Sequence, residues 1–293
     1  MKKIFYFSIS LIRNILNLPF VALIAIGNIY AKFLKIIDQR NHSNFWPEIL
    51  SKNIDKSKSK IFISKDKQKF IEFYTPTKVA GYRVKTFFKK EPETIEWMDR
   101  LGKKDAIFFD IGSNMGGYSI YFAKKFDAKV FSFEPSYKNL ELMIKNLKIN
   151  KLQNNISVIP NPLCDNFRFS KFIQNDFVAG QAKASFLLNQ KEKDEFSAYF
   201  NDKSTEVIYD TLGLSLDNLF DIGVIPKPNL IKIDVDGNEA KILSGAKKIL
   251  QNATQLSLLI EIRDQTESLI NSELSNLGFK KILSIRDNQI WEK

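Results

Sequence analysis

Five acidic residues in this chain each sit at the end of an apolar run. Asp110 follows Ala106-Ile-Phe-Phe, Glu134 follows Lys129-Val-Phe-Ser-Phe, Asp234 and Asp236 close Leu230-Ile-Lys-Ile-Asp-Val-Asp, and Glu261 lies in Leu256-Ser-Leu-Leu-Ile-Glu-Ile. Such runs read as buried strands, and an open parallel sheet binds its ligands at the carboxyl ends of its strands. Carboxylates drawn out of water there need partners, so the spacing points to a ligand or an ion. Behind Asp110 comes Gly112-Ser-Asn-Met-Gly116-Gly117 and then Tyr-Ser-Ile-Tyr-Phe-Ala with apolar residues on helical spacing, a strand, tight turn and helix N-terminus. That geometry aims backbone N–H groups and a helix dipole at whatever lies above the strand. Glu134 stands 22 residues beyond Gly112, where an acid can accept hydrogen bonds from both ribose hydroxyls of an adenosine. NAD would satisfy that position equally well. The loop separates the two cofactors: it is not G-x-G-x-x-G, because Asn114 stands where a second glycine would let a pyrophosphate reach the backbone. S-adenosylmethionine has no pyrophosphate and tolerates that side chain.

The elements that must carry these residues alternate regularly. Strand 106–111 leads to a helix over about 117–126, strand 129–133 to a helix over about 136–150 with Leu140, Met143, Ile144 and Leu147 on one face, and a third strand runs 156–160. After an interruption at about 165–206, containing one added strand at 167–173 and a small-residue loop at 178–185, come a short helix at 214–220, strand 230–236, a helix at 239–250 and strand 256–262. The tail reads as a helix near 265–277 and an antiparallel hairpin of 281–285 with 288–291. Strands alternating with helices of this length predict an α/β fold with a parallel sheet covered on both faces. Upstream, Ile61-Phe-Ile, 70–74 and 82–88 alternate like short strands, and Glu91-Pro92 opens a helix; together they form a flank or lid. Residues 1–60 read as an apolar helix and a polar linker, 61–105 as the flank, and 106–293 as the main domain.

Composition narrows the function. The net charge is +11, but residues 1–60 hold ten Lys/Arg against three Asp/Glu, so the globular part is close to balanced. With no aromatic-basic stripe, that counts against a nucleic-acid partner. One cysteine, Cys164, permits no intrachain disulfide, and the single histidine, His42, lies far from any motif. His/Cys zinc sites and a Ser-His-Asp mechanism are therefore excluded. Residues 4–31 are mostly apolar but broken by Arg13, Asn14, Asn17, Pro19 and Asn28. Three readings stand: a secretion signal, a spanning helix over 15–31 at the short limit of length, or a helix lying on a membrane surface or on the domain itself with Lys32, Lys35 and Arg40 behind it. A nucleotide-type cofactor favours a cytoplasmic location, at the inner face of a membrane if the segment attaches there.

Asp110-Ile-Gly-Ser-Asn-Met-Gly-Gly-Tyr-Ser119, Phe133-Glu-Pro135, Ser215-Leu-Asp-Asn-Leu219 and Ile231-Lys-Ile-Asp-Val-Asp-Gly-Asn-Glu-Ala-Lys-Ile-Leu-Ser-Gly-Ala246 together resemble the FkbM-family S-adenosylmethionine-dependent methyltransferases. The resemblance covers about residues 70–262. It implies a Rossmann-like class I methyltransferase with a seven-stranded, mostly parallel sheet, and O-methylation of a sugar, glycan or related small molecule. On matching positions it implies that Gly112, Ser113, Asn114 and Gly116 hold the methionine end of the cofactor, Asp110 orients that loop, Glu134 takes the ribose, and Asn161 or Leu163 borders the adenine. Asp234 and Asp236 would face the methyl group with Glu261 nearby, Asp234 or Asp236 serving as base or the two holding a divalent metal ion that acidifies the acceptor hydroxyl. Where the family pattern more often has Glu, this chain has Asp236, for which a helix cap is an equal account. An RNA methyltransferase, a non-catalytic cofactor-binding or membrane-tethered module, and an NAD-dependent oxidoreductase remain as alternatives. The sequence does not fix the oligomeric state.

Overall fold

The computed structural model describes residues 56–293 except 188, 190, 191, 195–205, 263 and 264, together with Ala22, Ala25, Ile26 and Ile29. Two compact units divide the chain, Met1–Ser57 and Lys58–Lys293. In the first, the four described apolar residues are helical and exposed. The remaining expectations for residues 1–31 and for most of the linker fall outside the described residues. Among the described residues, no helix is long and apolar enough to cross a membrane.

The second unit opens with an antiparallel pair, β1 (Lys58–Phe62) and β2 (Phe70–Tyr74), followed by α1 (Lys78–Thr86) and α2 (Pro92–Leu101). The expected strand at 82–88 is a correction: most of it is the second half of α1. The Thr77 hydroxyl caps the Ala80 N–H at 3.0 Å, and Ala80 and Val84 bury themselves one turn apart, so the cap and the packed stripe outweigh an alternating pattern.

Then β3 (Ile107–Ile111), α3 (Gly117–Phe126), β4 (Lys129–Phe133), α4 (Tyr137–Asn150) and β5 (Ile156–Ile159) follow the expected order. The interruption is larger than one added strand: β6 (Arg168–Gln174), β7 (Ala184–Leu187) and β8 (Val207–Gly213) form a separate antiparallel sheet ordered β7-β6-β8. The chain returns through α5 (Leu216–Asp221), β9 (Leu230–Ile233), α6 (Glu239–Ser244), α7 (Lys247–Gln251), β10 (Ser257–Glu261), α8 (Glu267–Asn276) and the hairpin β11 (Lys280–Ile285) and β12 (Asn288–Glu292). The helix expected over 239–250 is broken in two. Gly245 is pressed so close to the Cys164 carbonyl that a Cβ there would lie 2.1 Å from its oxygen, and Asp217 accepts the N–H groups of Lys248 and Ile249 to start α7 afresh.

The main sheet runs β11-β12-β10-β9-β3-β4-β5. Neighbours from β10 to β5 are parallel, and β12 lies antiparallel between β10 and β11. This is the seven-stranded, mostly parallel sheet with a C-terminal antiparallel hairpin, and its buried strands read as near-continuous apolar runs for that reason. Two apolar clusters, one around Phe108, Phe122 and Trp97 and one around Phe109, Ile231 and Leu258, show that both faces are covered.

One helix face departs from expectation in a way that matters for the site. Ile144 of α4 is exposed, while Asn139, Asn146 and Asn150 are buried beside Met143 and Leu147. Each asparagine satisfies backbone that has no strand partner. Asn150 and Asn146 accept the Glu72 and Tyr74 N–H groups of β2, Asn146 donates to the Met115 carbonyl, and Asn139 accepts from Gly180 N–H and donates to the Gln181 carbonyl. A single helix edge thus fixes β2, the turn after β3 and the loop before β7.

Candidate active site

The turn after β3 is shaped by close backbone approach. Gly112 has φ of +82°, and a Cβ on it would lie 1.9 Å from the Asp234 carbonyl oxygen at the end of the neighbouring β9. The Gly112 and Ser113 N–H groups donate to the Phe133 carbonyl at 3.0 and 3.2 Å, tying the turn to β4 as well. Asn114 also has positive φ, at 51°, a conformation asparagine tolerates better than most side chains, and its own carboxamide oxygen accepts the Met115 N–H at 2.9 Å.

Glu134, 5% exposed at the end of β4, accepts the Asn114 N–H at 2.7 Å on one oxygen and the Ser136 N–H at 2.8 Å on the other. Burial pushes its carboxyl up to about 7 despite those hydrogen bonds and the nearby Arg83 charge. Asp110 is fully buried behind the turn, where it accepts from the Ser119 hydroxyl at 2.5 Å and so fixes the first turn of α3 to β3. Burial raises its carboxyl, with the Lys232 charge opposing.

On β9 the sequence reading missed a central residue. Lys232 is 1% exposed, an outlier for a side chain that is almost never buried unpaired, and its ammonium donates to Asp234 at 2.5 Å while lying 5.1 Å from the Tyr118 ring centre. Burial alone would lower its proton affinity, but Asp234, Asp110 and Glu91 around it raise it overall. The Tyr118 hydroxyl donates to Glu91 at 2.8 Å. Burial would raise the carboxyl of Asp234, yet Lys232 more than reverses this and holds it well below the ordinary range. Glu261 is raised instead, first by burial and then by the neighbouring Asp234 carboxylate. The two carboxyls are thus driven apart, Asp234 toward its charged form and Glu261 toward its protonated one.

Asp236 has a different job in this state. Its Oδ2 accepts the Lys183 and Ala184 N–H groups at 2.6 and 2.9 Å, pinning the loop that leads into β7. The helix-cap account is a correction: the cap position of α6 is Asn238, and no side chain makes the capping bond. The pinned segment, residues 178–184, is a strap that lines the site through Gln181, Ala182 and Ala184. The Thr77 hydroxyl and Arg83 Nε donate to the Ala179 and Gly180 carbonyls at 2.7 and 2.6 Å, and the side chains of Asn114 and Asn139 both donate to the Gln181 carbonyl at 2.9 Å.

These residues line a cleft that holds Gly112, Asn114, Glu134, Asn161, Leu163, Asp234, Asp236 and Glu261 together, with Phe133, Pro135, Phe172 and Phe186 as apolar walls. A second cleft shares Arg83, Lys90, Gly112, Asn114 and Asp234 with it and adds Ser113, Gly117, Tyr118, Glu91 and Lys232. Of the residues expected from sequence, Asp110 and Gly116 do not line either cleft; Gly116 instead packs against Met143, whose side chain lies 3.0 Å from where its Cβ would be. Among the described residues, no group of three His, Cys, Asp or Glu side chains is arranged to hold a metal ion. Arg83, Lys90, Asn139 and Lys232 were missed by sequence reading, and only Lys232 left a trace there, as the one charge inside the apolar run Leu230–Ile233.

The sequence is 24% identical over 201 residues to hexuronic acid methyltransferase AglP of Haloferax volcanii, a match covering 63% of this chain and 70% of that protein. Among solved structures, a methyltransferase FkbM from Methylobacillus flagellatus KT aligns with 85% of this chain and 60% of its own at 14% identity and a TM-score of 0.44. A Streptococcus mutans methyltransferase solved in complex with SAH aligns with 70% of this chain and 98% of its own at 13% identity and a TM-score of 0.42. The Methyltransferase FkbM domain matches residues 110–281, more than half of the chain and the whole stretch from the acid of β3 into β11. On that match the chain belongs to the FkbM methyltransferase family, and it is a methyltransferase.

Proposed function

We propose that the protein transfers a methyl group from S-adenosylmethionine to a hydroxyl of a sugar or glycan. The observation that carries the cofactor reading is Glu134, a buried carboxylate held by the Asn114 and Ser136 N–H groups at the end of the strand beside the Gly112 loop. The residues present fit the group. Glu134 would take the ribose hydroxyls, Asn161 and Leu163 would flank the base among Phe133, Pro135 and Phe172, and Gly112, Ser113 and Asn114 would meet the methionine portion. When bound, the cofactor supplies a methyl group on a sulfonium, which leaves as a neutral thioether.

The chain's own part is alignment and removal of the acceptor's proton. Asp234 is a weak base because Lys232 holds its charge so firmly. Glu261 has the higher proton affinity, so its ionised carboxylate, beside Asp234, is the proton acceptor we assign, with Asp236 joining only when the strap releases it. A divalent ion on these carboxylates has less support, because the ammonium of Lys232 already occupies the cation's place beside Asp234. The sugar acceptor is favoured by the hexuronic acid relative and by the near-balanced charge of the sequence beyond residue 60, which suits a nucleic acid poorly.

Calorimetry tests the cofactor. S-adenosylmethionine should bind and NAD should not; NAD binding without S-adenosylmethionine binding would overturn the reading. Glu134→Ala should weaken the cofactor by about 1–3 kcal/mol, the scale of lost charge-assisted hydrogen bonds. Because its carboxyl ionises only near pH 7, wild-type affinity should rise between pH 6 and 8 and the variant's should not.

A second reading concerns location. Residues 20–26 form an unbroken apolar run ahead of Lys32 and Lys35, and Ala22, Ala25, Ile26 and Ile29 are helical and exposed, which suits a membrane surface and a lipid-linked acceptor. Wild-type protein should cosediment with vesicles containing anionic lipid, and Ile26→Glu with Ile29→Glu should release it. Wild type remaining in the supernatant at both low and high salt would rule attachment out.

A further inference from the structure

The second cleft carries charges of both signs in one small chamber. Arg83, Lys90 and Lys232 supply cations, and Glu91 and Asp234 supply anions. Its roof comes from α1 and the start of α2, upstream of the matched family domain, which begins at residue 110. That roof is held in place: the Phe87 and Tyr118 rings lie 5.4 Å apart, Glu91 takes the Tyr118 hydroxyl at 2.8 Å, and Arg83 Nε is bonded to the Gly180 carbonyl. Lys90 reaches Glu91 at 2.6 Å. A ligand carrying both charges can add to these pairs, its anion beside Arg83 and Lys90 and its cation beside Glu91.

The chamber opens at Gly112 and Asn114, the same turn that faces Glu134 from the other side. A ligand with its nucleoside at Glu134 and running over Gly112 therefore delivers its far end into the chamber. Asp236, Phe186 and Glu261 line the first cleft and not the chamber, which leaves them for the acceptor.

We propose that this chamber binds the amino-acid end of the cofactor, with Arg83 and Lys90 on its carboxylate and Glu91 on its ammonium, so that the arm before the family domain completes the cofactor site. The inference rests on the S-adenosylmethionine reading above.

The test compares two ligands by calorimetry: S-adenosylhomocysteine, which carries the amino-acid end, and 5′-methylthioadenosine, the same thioether nucleoside without it. Wild type should prefer S-adenosylhomocysteine by 100-fold or more, and in the double variant Arg83→Gln, Lys90→Gln that preference should fall at least tenfold. The ratio cancels any effect shared by both ligands, including a change at Glu134 or a loosened strap, and retained methylthioadenosine binding reports that the variant is folded. A preference unchanged in the variant, or absent from wild type, would overturn the clamp while leaving the cofactor reading intact. Failure of wild type to bind either ligand would overturn both. Relief of S-adenosylhomocysteine binding by millimolar glucuronate, lost in the double variant, would assign the chamber to an acidic acceptor instead.

Discussion

Gly112→Ala should abolish cofactor binding and lower the melting temperature by about 6–12 °C, from about 3 kcal/mol of lost stability at 2–4 °C per kcal/mol. Two costs combine. An alanine at φ of +82° carries the left-handed penalty of about 1–2 kcal/mol. Its Cβ would also sit 1.9 Å from the Asp234 carbonyl oxygen and 2.9 Å from the carbonyl carbon, both backbone atoms that no rotamer change can move. Relief requires β3 and β9 to part where the Asp234 N–H meets the Ile111 carbonyl at 3.1 Å, or the turn to rotate away from Phe133. Either movement displaces Asn114 from Glu134. Gly223→Ala separates the two costs, since Gly223 has φ of +73° but nothing within 4 Å of its would-be Cβ. That variant should lose only the conformational part and keep full binding of S-adenosylhomocysteine. If scanning calorimetry gives both variants the same small shift and binding survives in each, the close approach of Gly112 to β9 has no energetic weight.

The same contrast explains what could be read from the chain. The main sheet was legible because its central strands are buried on both faces and therefore appear as uninterrupted apolar runs, and the acids that end them mark one edge of the sheet. The Gly112 turn was legible because a positive φ leaves a glycine in the sequence. Features that depend on distant partners were not. Tyr82–Thr86 alternates like a strand, and only Thr77 and the burial of Ala80 and Val84 decide for a helix. Asn139, Asn146 and Asn150 look like a solvated face until β2 and the strap supply backbone groups for them to satisfy. The strap itself, rich in small residues, gives no sign that Asp236 holds it. In each case local propensity was outweighed by hydrogen bonds formed across the fold.

Lys232 is the strongest case, and its removal should be the most damaging single change to the site. Lys232→Met keeps the length of the side chain and fills the same apolar slot, so packing is largely preserved, but Asp234, Asp110 and Glu91 lose their common cation. Breaking a buried pair from one side costs about 3–5 kcal/mol, or about 6–20 °C in melting temperature. In wild type the depressed Asp234 carboxyl contributes stability above its unfolded value, and this is lost only as pH falls through the native value, well below neutrality. Without Lys232 the same carboxyl is raised by burial, so the native state binds more protons than the unfolded chain and the variant gains stability as pH falls. The gap between the two proteins should therefore narrow from pH 7.5 to pH 5. Lys232→Met combined with Asp234→Asn should recover much of the loss, because removing both partners strands neither. Denaturant unfolding of the four proteins gives the coupling directly. A pH-independent gap together with additive losses in the double variant would mean that Lys232 is held by packing alone, and that the charge on Asp234 owes nothing to it.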